Sequence, residues 1–519
     1  MKKPPLIAPI LAVTLLTLIS LQAADGSASP TPVVSLKQTN SSVSTNSNAN
    51  AKTSTKAEFE LVNPYPEAVE WCQIQSPDTS RHDLPRVLII GDSISGGYFG
   101  GLAEELKDKA SVVRLGHSLS LGQPGVIGYL RALLEEPGLL GSGNFDVIHF
   151  NNGMHGWFYS EEEYKHDFPK LIALLRERSP DAKLIWATTT PYRKGAPTFI
   201  EFHPKNERVK ARNAIVAEIV AREGIPTDDL YAFEENHPEH CGDGVHFKLE
   251  ARPAQVKRVA GFIADALPKS TNSLAMQSPS PSSSASPIHE INKMSGKEPS
   301  EWLDWGYQDM LHEGLPLVLM LGDEISNGYS FGVAEKLRGK AIIVRLSTTR
   351  ALGDPAYLAQ ISSLLSRPEL LGNRKFAVVH FNSGLHGMNI TEEEYRRDFP
   401  KLVALLREKA PGAKLIWAST TPWNGRNGGN AKSGKTPAPD ERVQARNAIA
   451  GEIVAHEEIP TDDLYALEKD HPEHCGDGLH FTREAIAAQS DHVAGVISKA
   501  LGIAVPLGNA PEKATPAGK

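Results

Sequence analysis

The stretch RVLIIGDSIS, residues 86–95, joins a run of apolar residues to a Gly-Asp-Ser turn. A short apolar run that ends at glycine indicates a strand buried on both faces, as in a parallel sheet. The same pattern recurs 231 residues later in LVLMLGDEIS, residues 317–326. The copies differ at Ser93 and Glu324, so the chain repeats one unit with a hydroxyl in the first copy and a carboxylate in the second.

The repetition covers most of the chain. NFDVIHFNNGMHG is repeated as KFAVVHFNSGLHG, and KLIWATTTP is repeated as KLIWASTTP. The offset stays at 231 residues as far as Pro191 and Pro422, and it is 234 at Asp243 and Asp477. A net insertion of three residues in the loop after Pro422 explains the change. A period this long far exceeds that of a solenoid repeat and is typical of a duplicated domain.

Short apolar runs alternate with amphipathic helical stretches in each copy. The strand candidates of the first copy are RVLIIG, SVVRLG, FDVIHF, KLIWATT and the segment near DDLYAF. The helix candidates are GLAEELKDK, GYLRALLEE, EEEYKHDFPKLIALLRER, NERVKARNAIVAEIVARE and PAQVKRVAGFIADAL. This alternation predicts an α/β fold with two three-layer α/β/α domains, each holding a mostly parallel sheet of about five strands. In such sheets, functional sites form where the carboxyl ends of the strands meet.

Composition divides the 519-residue chain into domains and linkers, because a chain this long exceeds one ordinary core. The predicted segments are a signal peptide (1–24), a linker (25–57), a first domain (58–268), a Ser/Pro-rich linker (269–300), a second domain (301–504) and a tail (505–519). The linkers are too poor in apolar residues to offset the entropy cost of ordering them. Their composition favours two independent domains joined by a tether, and it leaves docking open.

The N-terminus resembles an export signal. Lys2 and Lys3 precede the apolar stretch 6–21, and Ala23 and Ala24 follow at a plausible cleavage point. An uncleaved N-terminal anchor is the alternative. No other segment is apolar over the length that a bilayer requires, so we expect an exported, periplasmic or extracellular protein without a stable membrane span.

Charge and composition narrow the choice of partners. The chain is 40% hydrophobic and 22% charged, with a net charge of −8 and a pI of about 6.2. These values are ordinary for a soluble globular protein. A net negative charge without a long basic run argues against nucleic-acid and anionic-membrane partners.

Ser93 lies where a buried strand ends and a helix is about to begin. A serine hydroxyl there lies near the positive end of the helix, but it needs a base before it can act as a nucleophile. His246 in CGDGVHF is the candidate base, and Asp243 is the candidate carboxylate that orients it. Ser93, Asp243 and His246 therefore form a candidate catalytic triad.

Acyl transfer also needs hydrogen-bond donors for a developing oxyanion. The backbone N–H of Ser93 is one candidate. Gly122 in SLGQPG is another, because no side chain blocks the approach to its backbone. Side-chain candidates follow the third strand in HFNNGMHG, namely Asn151, Asn152 and His155.

Together these blocks resemble the SGNH hydrolases, also called the GDSL-type esterase/lipase superfamily. The resemblance covers about residues 84–268 and, in degenerate form, about 315–502. It implies a flavodoxin-like fold in each copy and ester hydrolysis, with Ser93 as nucleophile and Gly122 as an oxyanion donor. The third block, HFNNGMHG at residues 149–156, departs from the family's pattern, because His155 stands where the family has its oxyanion asparagine. Asn151, at the preceding strand end, is the alternative donor.

The second copy keeps most of these positions but not the nucleophile. Its corresponding residues are Glu324, Gly353, Asn382, His386, Asp477 and His480. A carboxylate at the nucleophile position would repel a developing oxyanion and hold His480 in an ion pair. We therefore expect a catalytically inactive copy, retained for an interface, for carbohydrate binding or for stability.

The chain has three cysteines, Cys72, Cys241 and Cys475. Cys241 and Cys475 occupy matching positions, and we expect Gly306 to match Cys72. In an exported protein this pattern predicts a Cys72–Cys241 disulfide that leaves Cys475 free, and three unpaired cysteines are the alternative.

Two further features bear on ligands. Trp157, Phe158 and Tyr159 follow the third block, at the rim where a substrate would enter. Aromatic faces there suit a sugar ring or an apolar acyl group, and ordinary loop packing is the alternative. His240 lies beside Cys241 without the spacing of a metal site, so we expect no metal and no cofactor.

The sequence thus predicts an exported serine esterase that acts through an acyl-enzyme and removes small acyl groups such as acetyl from carbohydrate. Lipid, thioester and peptide substrates stay open, as does the oligomeric state. The alternative is a non-catalytic protein, with both copies serving as carbohydrate-binding or structural modules.

Overall fold

The computed structural model describes residues 70–77, 81, 83–135, 140, 144–268, 300–308, 314–367, 374–423 and 439–504. The predicted signal peptide, the first linker, all but the last residue of the second linker, and the tail lie outside the described residues.

The first half of the described chain alternates strands and helices. Its strands are β1 Glu70–Ser76, β2 Arg86–Gly91, β3 Ser111–His117, β4 Val147–Phe150, β5 Lys183–Ala187, β6 Arg193–Lys194, β7 Glu201–Phe202 and β8 Thr227–Asp228. Its helices are α1 Ser93–Leu106, α2 Val126–Leu134, α3 Glu161–Arg178, α4 Asn206–Arg222, α5 Leu230–Glu235 and α6 Arg252–Ala266.

The second half repeats this order. Its strands are β9 Glu301–Tyr307, β10 Leu317–Gly322, β11 Ile342–Thr348, β12 Phe376–Phe381, β13 Lys414–Ala418 and β14 Thr461–Asp462. Its helices are α7 Glu324–Lys336, α8 Pro355–Leu365, α9 Glu392–Lys409, α10 Pro439–His456, α11 Leu464–Glu468 and α12 Arg483–Leu501.

One large sheet runs through both halves. Its strand order is β14-β13-β12-β10-β11-β9-β1-β3-β2-β4-β5-β8, and β6 pairs separately with β7. Within the large sheet, neighbouring strands are parallel except at β1 and β9, which are antiparallel to their neighbours. The α/β class predicted from the sequence is therefore confirmed. The parallel strands of the first half follow the order β3-β2-β4-β5-β8, an order found in doubly wound sheets.

Strands β1 and β9 join the two halves, and neither was predicted from the sequence. They pair antiparallel from Glu70 opposite Tyr307 to Ser76 opposite Glu301. We call this pair the seam. All described residues belong to one compact unit. The linker composition favoured two independent, tethered domains, and that expectation is therefore wrong. The reason is that each half presents an edge strand to the other, and pairing satisfies the backbone groups of both.

The hydrophobic core reflects the seam. On one face of the sheet a single cluster of buried residues runs from Ile74 and Phe168 in the first half to Trp305 and Phe399 in the second. On the other face each half has its own cluster, built around α1 and α6 in the first half and around α7 and α12 in the second. The halves therefore share one layer of apolar packing, at about 25 cal/mol for each Å² buried.

The seam also corrects the internal alignment. β1 and β9 begin at Glu70 and Glu301, so the 231-residue offset holds here too. Cys72 lies opposite His117, and the position that matches it, Leu303, lies opposite Thr348. The expected match of Cys72 with Gly306 is therefore wrong.

A buried aspartate lies on the outermost strand of each half of the sheet. In the first half, Asp228 binds His149 Nε2 at 3.2 Å and accepts a hydrogen bond from Arg258 Nε at 2.7 Å. In the second half, Asp462 binds His380 Nε2 at 2.9 Å and His492 Nε2 at 2.7 Å. His492 thus takes the place of a permanently charged arginine.

Because a histidine can lose its charge and an arginine cannot, exchanging the residue types at 492 and 258 should change the pH dependence of stability in opposite directions. The hydrogen bond to Asp462 raises the pKa of His492 above its ordinary value. The stabilisation is therefore complete below about pH 6.5, the ordinary histidine value, and it is lost as the pH rises through the raised pKa. We expect His492→Arg to gain stability over the wild type as the pH rises from 6 to 9, measured as the urea midpoint.

The matched variant Arg258→His places the titratable group in the first half. It should lose stability against the wild type over the same pH range. Urea midpoints that stay parallel to the wild type in both variants would contradict this account.

Candidate active site

The structure brings together Ser93, His246 and Asp243, the residues of the predicted triad. Ser93 Oγ lies 2.7 Å from His246 Nε2, and His246 Nδ1 lies 2.7 Å from Asp243 Oδ2. The serine is half-buried, while the side chains of His246 and Asp243 are 41% and 31% exposed. The hydrogen-bonded chain therefore stands at a surface that a solute can reach.

Strand β2 and helix α1 place the serine. Asp92 caps the helix, because its Oδ1 accepts a hydrogen bond from the backbone N–H of Ile94 at 2.9 Å. Ser93 is the first residue of α1. It therefore lies at the helix N-terminus, where the backbone N–H groups carry partial positive charge.

The loop 241–247 holds the other two residues. The backbone N–H groups of Val245 and His246 donate to Asp243 Oδ1 at 3.0 and 2.8 Å. Burial would raise the pKa of Asp243, but the hydrogen bonds and the charge of His246 outweigh it and lower the pKa to about 2. Gly244 has φ +106°, and a Cβ there would lie 2.6 Å from the carbonyl oxygen of Arg193. Only glycine fits that approach.

A buried arginine on β3 supports the turn that carries Ser93 through hydrogen bonds to two of its residues. Arg114 is 1% exposed, and its Nη2 donates to the carbonyl oxygen of Asp92 at 2.8 Å. Its Nε donates to Ser95 Oγ at 3.0 Å. The guanidinium lies over Gly116, where an added Cβ would come within 2.2 Å of Nη2. The absence of a side chain at Gly116 thus leaves the space that Arg114 fills.

Two predicted oxyanion donors are hydrogen-bonded within the protein. The backbone N–H of Gly122 donates to Asp167 Oδ2 at 3.3 Å. Asn151 Nδ2 donates to the carbonyl oxygen of Ala187 at 2.8 Å and to Thr189 Oγ1 at 3.1 Å. Both groups therefore already have acceptors within the protein.

The other third-block residues differ in role. Asn152 is buried, and its Oδ1 accepts from the backbone N–H of Leu121 at 3.2 Å. His155 is partly buried, and its carbonyl oxygen accepts from Arg212 Nη1 at 2.6 Å. Asn152 therefore has a structural role in the loop that carries Leu121.

In the second half the third-block histidine reaches the nucleophile position. His386, which matches His155, has its Nε2 at 2.6 Å from Glu324 Oε2. Burial would raise the pKa of Glu324, but the charge and hydrogen bond of His386 outweigh it and lower the pKa. The hydrogen-bond partner of the Glu324 carboxylate is therefore His386, whereas the sequence predicted an ion pair with His480.

The remaining second-half positions keep their first-half geometry. His480 Nδ1 lies 2.7 Å from Asp477 Oδ2, and Asn382 Nδ2 donates to the carbonyl oxygen of Ala418 at 2.8 Å. Gly353 keeps a positive φ of +94°, but Ile390 packs against it. The frame of the site is thus retained, with a carboxylate at its centre.

Each half has a cavity near its site. In the second half a cavity of about 10 Å³ is lined by residues that include Asp323, Tyr357 and His386, but not Glu324. That volume accommodates at most one water molecule. In the first half, a groove of about 560 Å³ runs beside Gly122 along the N-terminal part of α3.

The three aromatic residues after the third block lie in different environments. Phe158 is 70% exposed, whereas Tyr159 is buried. Trp157 packs against Tyr192 with ring centroids 5.9 Å apart, and Lys205 Nζ lies 5.2 Å from its ring. Trp157 and Tyr159 therefore have packing roles, and Phe158 is the most exposed of the three.

The expected disulfide is absent, and all three cysteines, which lie among the described residues, are free. Cys72 is a fully buried member of the shared core cluster, and this burial raises the pKa of its thiol. Cys241 Sγ instead accepts a hydrogen bond from the backbone N–H of Gly244 at 3.1 Å. The two thiols are thus held in different surroundings, and the prediction is wrong.

Each half also has a small group of possible metal ligands on the turn before its Asp-His loop. The groups are His237, Glu239 and His240, and His471, Glu473 and His474. Their side chains already hydrogen-bond one another, as between His237 Nδ1 and Glu239 Oε1 at 2.8 Å. The absence of a metal stays a prediction.

Arg114 and Gly116, which lie against the turn at Ser93, were not predicted from the sequence. A signal was present, since SVVRLG places one arginine inside an otherwise apolar strand. A charged residue there is rarely buried unless it has partners. The partners, however, come from β1 and from the serine turn, which are distant in sequence.

Comparisons with known proteins gave structural similarities only. No family model and no curated protein matches the chain. Among solved structures, it is similar to an acetyl xylan esterase (18% identity, TM-score 0.28, 34% of this chain and 99% of that chain). It is also similar to a GDSL-like lipase from Bacteroides thetaiotaomicron (19%, 0.28, 35% and 89%) and to a lipase/acylhydrolase from Enterococcus faecalis (19%, 0.27, 36% and 98%).

No helix among the described residues combines the length and apolar composition needed to cross a bilayer.

The space at Gly116 that the Arg114 guanidinium fills, which we call the arginine socket, can be tested by substitution. Gly116→Ser, which installs the residue found at Ser347 in the second half, would push the guanidinium away from the serine turn. We expect kcat for p-nitrophenyl acetate to fall between about 10- and 100-fold, as expected for a misplaced catalytic turn. The reverse change Ser347→Gly is the control and should leave kcat unchanged. Thermal melting checks that both variants fold, and a wild-type kcat in folded Gly116→Ser would contradict the role of the socket.

Proposed function

We propose that the first half is an SGNH-type serine esterase and that the second half is a catalytically inactive copy of the same flavodoxin-like unit. The observation that carries this proposal is the chain of two 2.7 Å contacts from Ser93 through His246 to Asp243. A serine at a helix N-terminus, with a histidine and a carboxylate in this order, has the arrangement of an activated nucleophile.

The reaction begins when Ser93 Oγ attacks the carbonyl carbon of an ester. His246 Nε2 takes the hydroxyl proton as the new C–O bond forms, and Asp243 stabilises the imidazolium. Collapse of the tetrahedral intermediate breaks the bond to the alcohol, which leaves with the proton from His246. Water then attacks the acyl-enzyme by the same route, releases the carboxylic acid and restores the Ser93 hydroxyl.

The oxyanion of the intermediate needs donors, and we assign the backbone N–H of Ser93 and the ring of His155. The assignment of His155 is supported by its second-half counterpart, because His386 contacts the side chain that replaces the nucleophile. Such a donor is worth roughly 10²-fold or more in kcat.

The substrate we propose is an acylated carbohydrate with a small acyl group such as acetyl, met outside the cytoplasm. The apolar N-terminal segment 6–21 supports export, and Phe158 at the rim is an aromatic residue that is 70% exposed, of the type that contacts sugar rings. The loop 241–247, which carries the catalytic base, is itself open to solvent, as suits a large alcohol.

The inactivity of the second half follows from charge. Glu324 places a carboxylate at the nucleophile position, where it would repel a developing oxyanion, and it is held by His386. This half therefore keeps the frame of a hydrolase without a nucleophile.

Labelling with a fluorophosphonate probe and hydrolysis of p-nitrophenyl acetate test the proposal. Ser93→Ala should abolish labelling and lower kcat on the order of 10⁴-fold or more, since no other group can form the acyl-enzyme. Glu324→Ala is the matched control in the second half and should label and hydrolyse as the wild type does.

The opposite pattern, with activity intact in Ser93→Ala and lost in Glu324→Ala, would overturn the proposal. Absence of both labelling and hydrolysis in the wild type, together with measurable glycan binding, would favour the non-catalytic carbohydrate-binding alternative.

A further inference from the structure

We propose that the second half completes the active site of the first half, with Asp304 acting as a positioning residue through Gln73 and Arg114. This inference rests on the proposed function, because it concerns the catalytic turn at Ser93. It gives the inactive half a role in the reaction that neither its fold nor its degenerate site supplies.

The connection crosses the seam at one point. Gln73 of β1 and Asp304 of β9 lie directly opposite each other, at matching positions of the two halves. Gln73 Nε2 donates to Asp304 Oδ2 at 2.8 Å, and Asp304 is only 3% exposed. A buried carboxylate of the second half therefore fixes the orientation of the Gln73 amide.

The amide in turn faces the arginine. Gln73 Oε1 accepts a hydrogen bond from Arg114 Nη1 at 3.3 Å, and Gln75 Oε1 accepts one at 3.0 Å. Because Gln73 Nε2 donates to Asp304, the amide can present only its oxygen to the guanidinium. Asp304 thus sets which atom of Gln73 meets Arg114.

The carboxylate also supplies charge. Burial lowers the pKa of Arg114 to about 10, while the negative charges of Asp92 and Asp304 act in the opposite direction. A buried guanidinium needs such partners, because an uncompensated charge in the protein interior is costly. The second half therefore contributes one of the charges that keep Arg114 in its socket.

The last step links Arg114 to catalysis. Its Nη2 binds the carbonyl oxygen of Asp92, which belongs to the same peptide unit as the backbone N–H of Ser93. A trans peptide is planar, so its C=O and N–H point in opposite directions. Because Arg114 binds the Asp92 carbonyl oxygen, the Ser93 N–H points to the opposite side, away from the arginine. That N–H is one of the two assigned oxyanion donors.

The second half lacks this brace. Its Arg345 lies 3.9 Å from the ring of Phe331, with its Nη2 at 3.6 Å from Asp304 Oδ1. Ser347 occupies the position of Gly116, and its Oγ lies 3.5 Å from Ser326 Oγ. The inactive copy has thus lost both the nucleophile and the arginine socket, while Asp304 serves the turn of the other half.

The experiment is a double-mutant cycle on the full chain, with p-nitrophenyl acetate kinetics and fluorophosphonate labelling of Ser93. Asp304→Asn removes the charge and lets the residue present an amide to Gln73. We expect kcat and the labelling rate to fall about tenfold with KM nearly unchanged, which corresponds to about 1.4 kcal/mol in the barrier. Asp304→Glu, which keeps the charge, should recover much of the loss.

Arg114→Lys supplies the other arm of the cycle, because it keeps the positive charge but loses the planar fork. If Asp304 acts through Arg114, then Asp304→Asn should cost little further activity in the Arg114→Lys background. Additive losses, or a wild-type labelling rate in folded Asp304→Asn, would overturn the inference.

A matched control separates positioning from general stability. Glu468→Gln removes another buried carboxylate of the second half, one that binds Gln489 Nε2 at 2.9 Å far along the chain from the seam. It should lower the melting temperature while kcat stays at the wild-type value. An equal loss of kcat in Glu468→Gln would mean that any destabilised second half impairs the site, and this result would contradict the specific role of Asp304.

The two proposals fail differently. A wild-type protein that labels at Ser93, together with an Asp304→Asn variant that labels equally fast, removes only the inference about the second half. A wild-type protein that neither labels nor hydrolyses removes the proposed function, and the inference falls with it.

Discussion

The antiparallel pairing of β1 with β9 is the interaction on which the rest of the structure depends. Each half alone would end in an exposed edge strand with unpaired backbone groups. Pairing from Glu70 opposite Tyr307 to Ser76 opposite Glu301 removes both edges and makes one sheet of the two halves. It also lets one hydrophobic cluster run across the seam, with Cys72 and Trp305 fully buried at its centre. A duplication joined in this way leaves neither half free to act as a separate domain.

Two copies of one frame have taken different roles through a few side chains. At the nucleophile position a serine faces a histidine in the first half, and a carboxylate binds a different histidine in the second. Beneath the turn, Gly116 makes room for an arginine, whereas Ser347 fills the equivalent space. Because the seam brings Asp304 against Gln73, the half without a nucleophile can still influence the half that has one. On this account, a copy without the nucleophile would still be needed by the other half.

Much of this arrangement was predictable from local patterns, and the rest depends on contacts between distant segments. Helix α3 was predicted to the residue, because its charged first turn and the capping box at Ser160 mark its start. The residues at Ser93, Asp243 and His246 were predictable because short motifs carry them. β1 and β9 were missed because each mixes polar and apolar residues and is placed by pairing with strands that are distant in sequence. The disulfide was wrong for the same reason, since the position of Cys72 follows from that pairing.

The most direct test of the central claim, that one half of a duplicated chain does the chemistry, is the burst of p-nitrophenol when p-nitrophenyl acetate is mixed with the full chain. The account predicts a burst of one equivalent per chain, with the acetyl group mapped by mass spectrometry to Ser93. A burst of two equivalents, or an acetyl group mapped to the second half, would contradict it.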